Sequence, residues 1–392
     1  MSVVRSGDLV APLIYPSCGR GFLRTSLGKD TVPLKAGDVL ISSIGLGSIG
    51  KISLVIDPTG FSTVSEVTIL RDSTYPAEYL WAYLSTRQGQ SQIEREVTGA
   101  TGQQHLLKSK VRGIIIPPPP KGIEVKLKGA ILGAVNGAKA AGKAYGLAEA
   151  AIMSALGLDK LDLTPRLFYE RMYKDVAAIR RFDAEYYQPA KWGVLAALAK
   201  MKGRAVGEQY QPIRSLWQPD RAPPNERVRN YDLNDALSPF LDESLAPTPA
   251  AEIGSTKKRL QAGDIVVSRL RSYLKEIAVV QPTDNIPMVG SSEFIVLRPG
   301  KDAIKAEALL VYLRSPYVQT VLKWSQDGSN HPRFDEKEIL SLRVPKVIED
   351  IQDVLAGFVV KAIAARREAR RLLDEAKALV EKTILSANGD KG

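Results

Sequence analysis

Two stretches of this chain, 226 residues apart, spell the same pattern, and that duplication constrains the fold more than any other feature. Leu34-Lys35-Ala36-Gly37-Asp38-Val39-Leu40-Ile41-Ser42 recurs as Leu260-Gln261-Ala262-Gly263-Asp264-Ile265-Val266-Val267-Ser268, an offset of 226 (263 − 37). The only two histidines, His105 and His331, keep the same offset and occupy what reads as one loop written twice. The first copy is Gly102-Gln103-Gln104-His105 and the second is Gly328-Ser329-Asn330-His331. Between these anchors Ser65-Glu66-Val67-Thr68-Ile69-Leu70 answers Ser292-Glu293-Phe294-Ile295-Val296-Leu297. Tyr83-Leu84 answers Tyr312-Leu313, and Ile116-Pro117 answers Val344-Pro345. Each copy thus holds a Gly-Asp turn, a β-branched strand, a Ser-Glu strand, a helix, the His loop and a short strand ending in proline. A repeat this long is no solenoid unit, because each copy is large enough to fold alone. A chain that carries one domain twice suits a partner with two ends.

Composition narrows the partner. Lys and Arg number 54 against 43 acidic residues, a net charge of +11, which favours polyanions. The 392 residues suffice for two domains with real cores. Cys18 is the only cysteine, so no internal disulfide or cysteine zinc cluster is available. Two histidines and one cysteine also argue against a conventional metal site. Met1-Ser2-Val3-Val4-Arg5 lacks the apolar core of a signal peptide, and no run of about 18 uncharged apolar residues exists to span a membrane. The expected location is cytoplasmic.

Two segments carry a coiled-coil rhythm. Leu127, Ile131, Ala134, Ala138, Ala141, Tyr145, Ala148, Ile152 and Ala155 follow alternating steps of four and three. Ile348, Ile351, Leu355, Phe358, Ala362, Ala365, Ala369, Leu372, Ala376 and Leu379 do the same. A helix from Leu127 to Leu156 is about 45 Å long at roughly 1.5 Å per residue. Gly129, Gly133 and Gly137 each cost that helix up to ~1 kcal/mol relative to alanine, so a close-packed neighbour is expected to compensate. The predicted fold is α+β: two repeated mixed α/β domains separated by two long helices that form an antiparallel coiled coil. The expected boundaries are 1–120 for the first domain, 121–180 for the first helix and linker, 181–346 for the second domain and 347–392 for the second helix.

In this order, and twice, the motifs resemble those of the specificity subunits of type I restriction–modification systems. The resemblance rests on Leu34 to Asp38 with its partner at Leu260, on Thr98-Gly99-Ala100-Thr101-Gly102-Gln103-Gln104-His105-Leu106, and on Ile114-Ile115-Ile116-Pro117-Pro118. It also rests on Arg181-Phe182-Asp183-Ala184-Glu185-Tyr186-Tyr187-Gln188-Pro189, a phrase such subunits place ahead of a recognition domain. Three departures stand out. The first copy has no counterpart of Arg181 to Pro189, the acidic-Gln start of the spacer helix is weak at Lys121-Gly122-Ile123-Glu124, and Asp159 to Arg180 adds a linker. The resemblance implies target-recognition domains that bind double-stranded DNA at a bipartite site. It further implies two methyltransferase partners that use S-adenosylmethionine and a translocating restriction partner that uses ATP, with no cofactor in this chain. The same residues also fit a DNA-recognition subunit of another methylation-linked phage-defence system.

The candidate DNA-facing residues lie in the loops. Gly45-Leu46-Gly47-Ser48-Ile49-Gly50-Lys51 satisfies G-x-x-x-x-G-K, but a phosphate cradle needs its last glycine to open a helix. Here Ile52 to Pro58 reads as a strand, and Ile52 replaces the magnesium-binding hydroxyl. The segment therefore reads as a glycine-rich hairpin, with Ser42, Ser48 and Lys51 facing the ligand. The second copy offers Ser268-Arg269-Leu270-Arg271-Ser272-Tyr273-Leu274-Lys275 at this place, with Arg269, Arg271, Tyr273 and Lys275 as donors for phosphates and guanine edges. From the His loops come Gln103, Gln104, His105 and Lys108, then Ser329, Asn330, His331 and Arg333. An alternative use of the same polar residues is to tie each loop to its own domain. No Asn/Asp-Pro-Pro-aromatic tetrapeptide, helicase motif set, serine elbow or reactive-cysteine context occurs, so the chain reads as non-catalytic. A protein-only scaffold and an enzyme using the Gly-rich loop are the competing classes. Arg366, Arg367, Arg370 and Arg371 form a basic band on the last helix.

Overall fold

The computed structural model describes residues 2–16, 23–24, 31–45, 47–99, 104–223, 225–281 and 284–389. The chain divides into two compact units, 1–143 with 364–392, and 144–363.

In the first unit the main sheet holds β1 (Leu13–Ile14), β2 (Val39–Ser42), β3 (Ile52–Val55) and β4 (Val67–Leu70) in the order β1-β3-β2-β4. Pairing is antiparallel at Val39↔Leu54 and Val39↔Leu70, and parallel at Leu13↔Leu54. All four residues of β2 are buried, because both faces of the sheet are covered. Val39 and Ile41 pack with helix α1 (Ala77–Leu84), whereas Leu40 packs with Val4, Ile14 and Phe61 on the opposite face. This is the two-residue period of a pleated strand. A second small sheet pairs Ser2–Val4 in parallel with Phe61–Thr63. Helix α2 (Arg87–Glu96) follows α1, its N-terminus capped by Thr86 Oγ1, which accepts from the Gly89 amide.

The second unit repeats this frame. Its main sheet runs β5 (Tyr210–Ile213), β8 (Phe294–Pro299), β6 (Ile265–Ser268), β7 (Ile277–Val279). Ile265 pairs with Val279 and with Leu297, matching Val39 with its two partners. Ile265 and Val267 face the helical core while Val266 faces the other side. Helices α4 (Ala306–Arg314) and α5 (Pro316–Lys323) stand for α1 and α2, and Ser315 caps α5 as Thr86 caps α2. The small sheet recurs too, with Arg229–Tyr231 parallel to Met288–Gly290.

A buried carboxylate anchors each frame at the Gly-Asp turn. Asp38 accepts two hydrogen bonds from Arg71, both 2.7 Å, and one from the Lys35 amide. Asp264 accepts two from Arg298, both 2.9 Å, and one from the Gln261 amide. Such bidentate, charge-assisted pairs fix geometry as well as supply energy. Tyr83 donates to the Ile115 carbonyl as Tyr312 donates to that of Arg343.

The two long helices are each shared between the compact units. Helix α3 runs Ile123–Leu156 and α6 runs Gln352–Gly389. The reason is burial. In the first unit Leu127, Ile131 and Ala134 of α3 join Ala369, Leu373, Ala376 and Val380 of α6 in one core. In the second, Ala148, Ile152 and Leu156 join Leu355, Val359 and Ala362. Leu156 takes the seam place expected of Ala155. Ile348 lies in a separate short helix, Lys346–Asp350, before the break at Ile351. Within the first unit the pairing is antiparallel and close. A Cβ on Gly133 would lie 2.8 Å from Leu372 Cδ1, and one on Gly137 3.0 Å from the Ala365 carbonyl oxygen. Gly129 faces open space, so two of the three striped glycines have the expected packing reason. No helix among the described residues is long and apolar enough to cross a membrane.

The second unit carries a leading segment with no counterpart among the described residues of the first. Ser2 corresponds in register to Arg229, so nothing described in the first unit matches β5 or the strand Gly203–Ala205 that pairs with Arg343–Pro345. Within that segment Lys191 is fully buried, 3.4 Å from Glu338 Oε2 and 3.3 Å from the Tyr186 ring centre. Burial pushes its pKa down to about 8, against the pull of Glu338.

Candidate nucleic-acid interface

The two loops of each copy come together at one end of the main sheet. In the first unit β2 and β3 are joined by a hairpin, so the last glycine of the G-x-x-x-x-G-K run opens a strand, not a helix. The Ser48 and Ile49 amides donate to the Gly45 carbonyl, and Gly50 donates to Ser42. The His loop closes on this hairpin. Thr98 and His105 exchange backbone hydrogen bonds of 3.0 and 2.8 Å, and the Leu106 amide donates to the Ser43 carbonyl.

The second unit builds the same junction from different residues. Asp327 and Arg333 exchange backbone bonds of 2.7 and 2.8 Å, and the Phe334 amide donates to the Arg269 carbonyl. Arg333, not His331, therefore occupies the place of His105. This corrects the one-to-one pairing of the two histidines expected from their equal spacing. The slip has a physical origin. The connection from the Ser-Glu strand to the helix is two residues longer in the second copy (Leu297 to Ala306, against Leu70 to Ala77), and the His loop is one shorter. In this register His331 matches Gln103, which lies outside the described residues.

Side chains divide the candidates. Ser42 is fully buried and its hydroxyl donates to the Ile44 carbonyl, so it shapes the turn and is withdrawn as a ligand-facing residue. Ser48 Oγ likewise donates to the Ile44 and Gly45 carbonyls within the turn. Lys51 and Gln104 are half-buried, and His105 and Lys108 are exposed. In the second unit Arg269, Tyr273, Lys275, Ser329, Asn330 and His331 are exposed, and Arg271 and Arg333 are half-buried. Four of these cluster: Glu293 accepts from Arg333 Nη2 at 2.8 Å and pairs with Arg269 Nε at 3.1 Å, while Arg271 Nη2 lies 3.3 Å from His331 Nδ1. A guanidinium only donates, so in this bond Nδ1 is the acceptor. The hydrogen bonds from Arg333 hold the Glu293 carboxyl below the ordinary range, against its partial desolvation.

Sequence reasoning missed Glu293 as the organiser of this cluster, although the Ser-Glu repeat marked it. It also missed what Arg181 does. Its guanidinium grips Asp183 and donates to the Ser325 and Gln326 carbonyls, both at 3.0 Å, at the root of the second His loop. The basic band of α6 is partly neutralised within the helix, since Arg371 bridges Glu368 and Glu375 and Arg370 pairs with Asp374. No group of His, Cys, Asp and Glu that would hold a metal ion occurs among the described residues.

No protein-family model matches the chain, and no curated protein matches it. Solved structures do. The chain is similar to S subunits of type I restriction–modification systems. The HsdS subunit from Thermoanaerobacter tengcongensis matches over 91% of this chain and 83% of its own, at 15% identity and a TM-score of 0.30. The type I restriction–modification S subunit from M. genitalium matches over 88% and 82%, at 16% identity and a TM-score of 0.39. A structure describing complex assembly and conformational transition of the type I R-M system matches over 97% and 89%, at 14% identity and a TM-score of 0.29.

Proposed function

We propose that this chain is the DNA-reading subunit of a methylation-linked restriction system, with each unit reading one half of a bipartite target. The observation that carries this reading is the double construction itself. One frame, anchored by Asp38–Arg71 and again by Asp264–Arg298, presents the same hairpin-and-loop junction twice with different exposed donors. A frame that holds its backbone constant while its loop side chains differ suits a ligand whose two ends differ in detail. The net charge of +11 supplies the sequence-independent attraction to a phosphate backbone.

In this reading the chain contributes recognition and no catalytic group. Methyltransferase subunits, expected as two copies, bring S-adenosylmethionine, and a translocating restriction subunit brings ATP. These partners are what the resemblance of the repeated motifs implies, from Leu34–Asp38 with its second copy to Arg181–Pro189. Methylome sequencing of cells with and without the gene tests it. Methylation at a two-part motif with an unread gap, lost with the gene, is the expected result. A single short continuous motif removes the bipartite reading, and unchanged methylation together with no duplex DNA binding by the purified chain removes the function.

A further inference from the structure

We infer that Arg271 is the residue through which the second unit reads a guanine, that His331 positions it, and that the first unit makes no such contact because glycine stands in the same place. The inference rests on the DNA-reading function proposed above and names the base chemistry of one of its two halves.

The backbone gives the first reason. The turn after β2 passes through left-handed conformations at Gly45 (φ +112°) and Gly50 (φ +81°). The turn after β6 does the same at the matching positions, but these hold Arg271 (φ +49°) and Lys275 (φ +54°). Residues with a Cβ disfavour that region, whereas glycine adopts it freely. Glycine holds the matching positions of the first copy's turn, which is one residue longer. Two long cationic side chains therefore occupy strained positions where structure alone would be served by glycine. Strain held at a defined site, beside exposed Tyr273, points to what the side chains touch.

The donor inventory gives the second reason. Arg333 places Nε and Nη2 on Glu293 and Nη1 on the His331 carbonyl, so all three of its nitrogens are engaged. Arg269 is tied to Glu293 through Nε. Arg271 alone of the three makes no ion pair among the described residues. Its single side-chain bond runs through Nη2 to His331 Nδ1, while its amide donates to the Pro332 carbonyl at 2.9 Å. The backbone is thus pinned, the guanidinium is braced on one corner, and the remaining donors are left for a ligand. Guanine offers O6 and N7 as paired acceptors in the major groove, the usual match for an arginine fork. Arg333, with every nitrogen engaged, holds the loop, and Glu293 tethers Arg269 by its Nε, so Arg271 is the one of the three that owes nothing to a carboxylate among the described residues.

Selection of the full-length chain against randomised duplex DNA tests this. Wild type should enrich a bipartite sequence with a G·C pair at one position of one half. Arg271→Ala should lose roughly 10- to 100-fold of the preference at that base pair and leave the other positions intact. Arg271→Gly should do the same, and because glycine suits the turn it guards against a misfolded variant. Arg271→Lys keeps the charge without the fork and should fail to restore the preference. His331→Ala should weaken discrimination at that same base pair only, a result that general loosening of the loop would not give. Unchanged selection by the Arg271 variants overturns the inference, as does an even loss of affinity at every position, which would make Arg271 a phosphate contact. Wild type that enriches no sequence overturns the proposed function and this inference with it.

Discussion

The two units share a frame and differ in their loops, and the line between the two behaviours is drawn by burial. Asp38 and Asp264 hold their arginines in the same bidentate geometry, and both are almost wholly buried. The helix caps Thr86 and Ser315 match, as do Gln90 and Gln319, which donate to the carbonyls of Leu84 and Leu313. Every one of these groups satisfies a backbone or a charge that cannot reach water, and a lost partner there is expensive. At the hairpin tip Arg271 is only half-buried, so solvent can satisfy a side chain there, and Gly45 and Arg271 both hold a positive φ at matching places. The frame is fixed by what it must satisfy, whereas the tip is left to the ligand.

The helix seam is where the units are most alike in kind and least alike in depth, and it offers the largest test. Leu355 is fully buried beside Val359 and Ile152 in the second unit, whereas Leu372 of the first is half-buried over Gly133. Leu355→Asp loses the packing of a core leucine and buries a charge without a partner, an expected loss of at least about 4 kcal/mol. Leu372→Asp should lose roughly half as much, because its carboxylate can turn to water. Hydrogen exchange resolves the amides of each unit separately. Equal protection losses from the two variants would show that the seam behaves as one body, and the comparison of depths would fail.

Glu66 and Glu293 offer a sharper contrast, since they are matched in sequence and in backbone role. The amide of Ser43 donates to the Glu66 carbonyl as that of Arg269 donates to Glu293. Only the side chains differ: Glu66 is exposed, and Glu293 pairs with Arg269 and Arg333. Glu293→Ala is expected to destabilise the second unit by about 1–3 kcal/mol, the range for a charge-assisted network that loses one member. Glu66→Ala should stay within about 0.5 kcal/mol. The Glu293 effect carries a pH signature. Its carboxyl is held below the unfolded value, so the stabilisation is complete above about pH 4.5 and is lost as pH falls through the folded pKa. Denaturation of both variants at pH 7 and in mild acid checks the sign, and a Glu293→Ala deficit that grows in acid would refute it.

Much of this was legible in the sequence because the frame is built from local patterns. The Gly-Asp turn and the β-branched strands are short-range signals, and each marks an element that the structure contains. The seams followed from helical periodicity, with slips of one residue: Leu156 is buried in place of Ala155, and Val359, Leu373 and Val380 are buried deeper than the expected Phe358, Leu372 and Leu379. The candidate site was less legible. Spacing put His331 opposite His105, but insertions in one connection and a deletion in another move Arg333 into that place. The offsets of Tyr83 to Tyr312 (312 − 83 = 229) and Ile116 to Val344 (344 − 116 = 228) record the slip, while the two histidines, 226 apart, conceal it. Ser42 reads with the glycine-rich hairpin as facing the ligand, yet it is buried and its hydroxyl turns back to Ile44. The Arg269–Glu293–Arg333 cluster joins residues far apart in the chain, so only the fold reveals which arginines are engaged and which is not.

The smallest effect separates strain from support at the hairpin tip. Arg271 in a left-handed conformation costs about 1–2 kcal/mol relative to glycine in the same geometry. Glycine has its own cost, about 0.4–1 kcal/mol, because it widens the freedom of the unfolded chain. Arg271→Gly also forfeits the single bond to His331, which is partly exposed and contributes little. The balance favours glycine by roughly 0.5–1 kcal/mol, a rise of about 1–4 °C in the melting of the second unit. The reverse change in the first unit should go the other way. At Gly45 the φ of +112° disfavours any side chain, and a Cβ there would lie 2.4 Å from Ser48 Oγ, so Gly45→Ala should destabilise by about 1–2 kcal/mol. Calorimetry of the two variants reads both signs. Should Arg271→Gly lower the melting temperature, arginine is there to hold the turn, and the difference between the two tips is one of support and not of recognition.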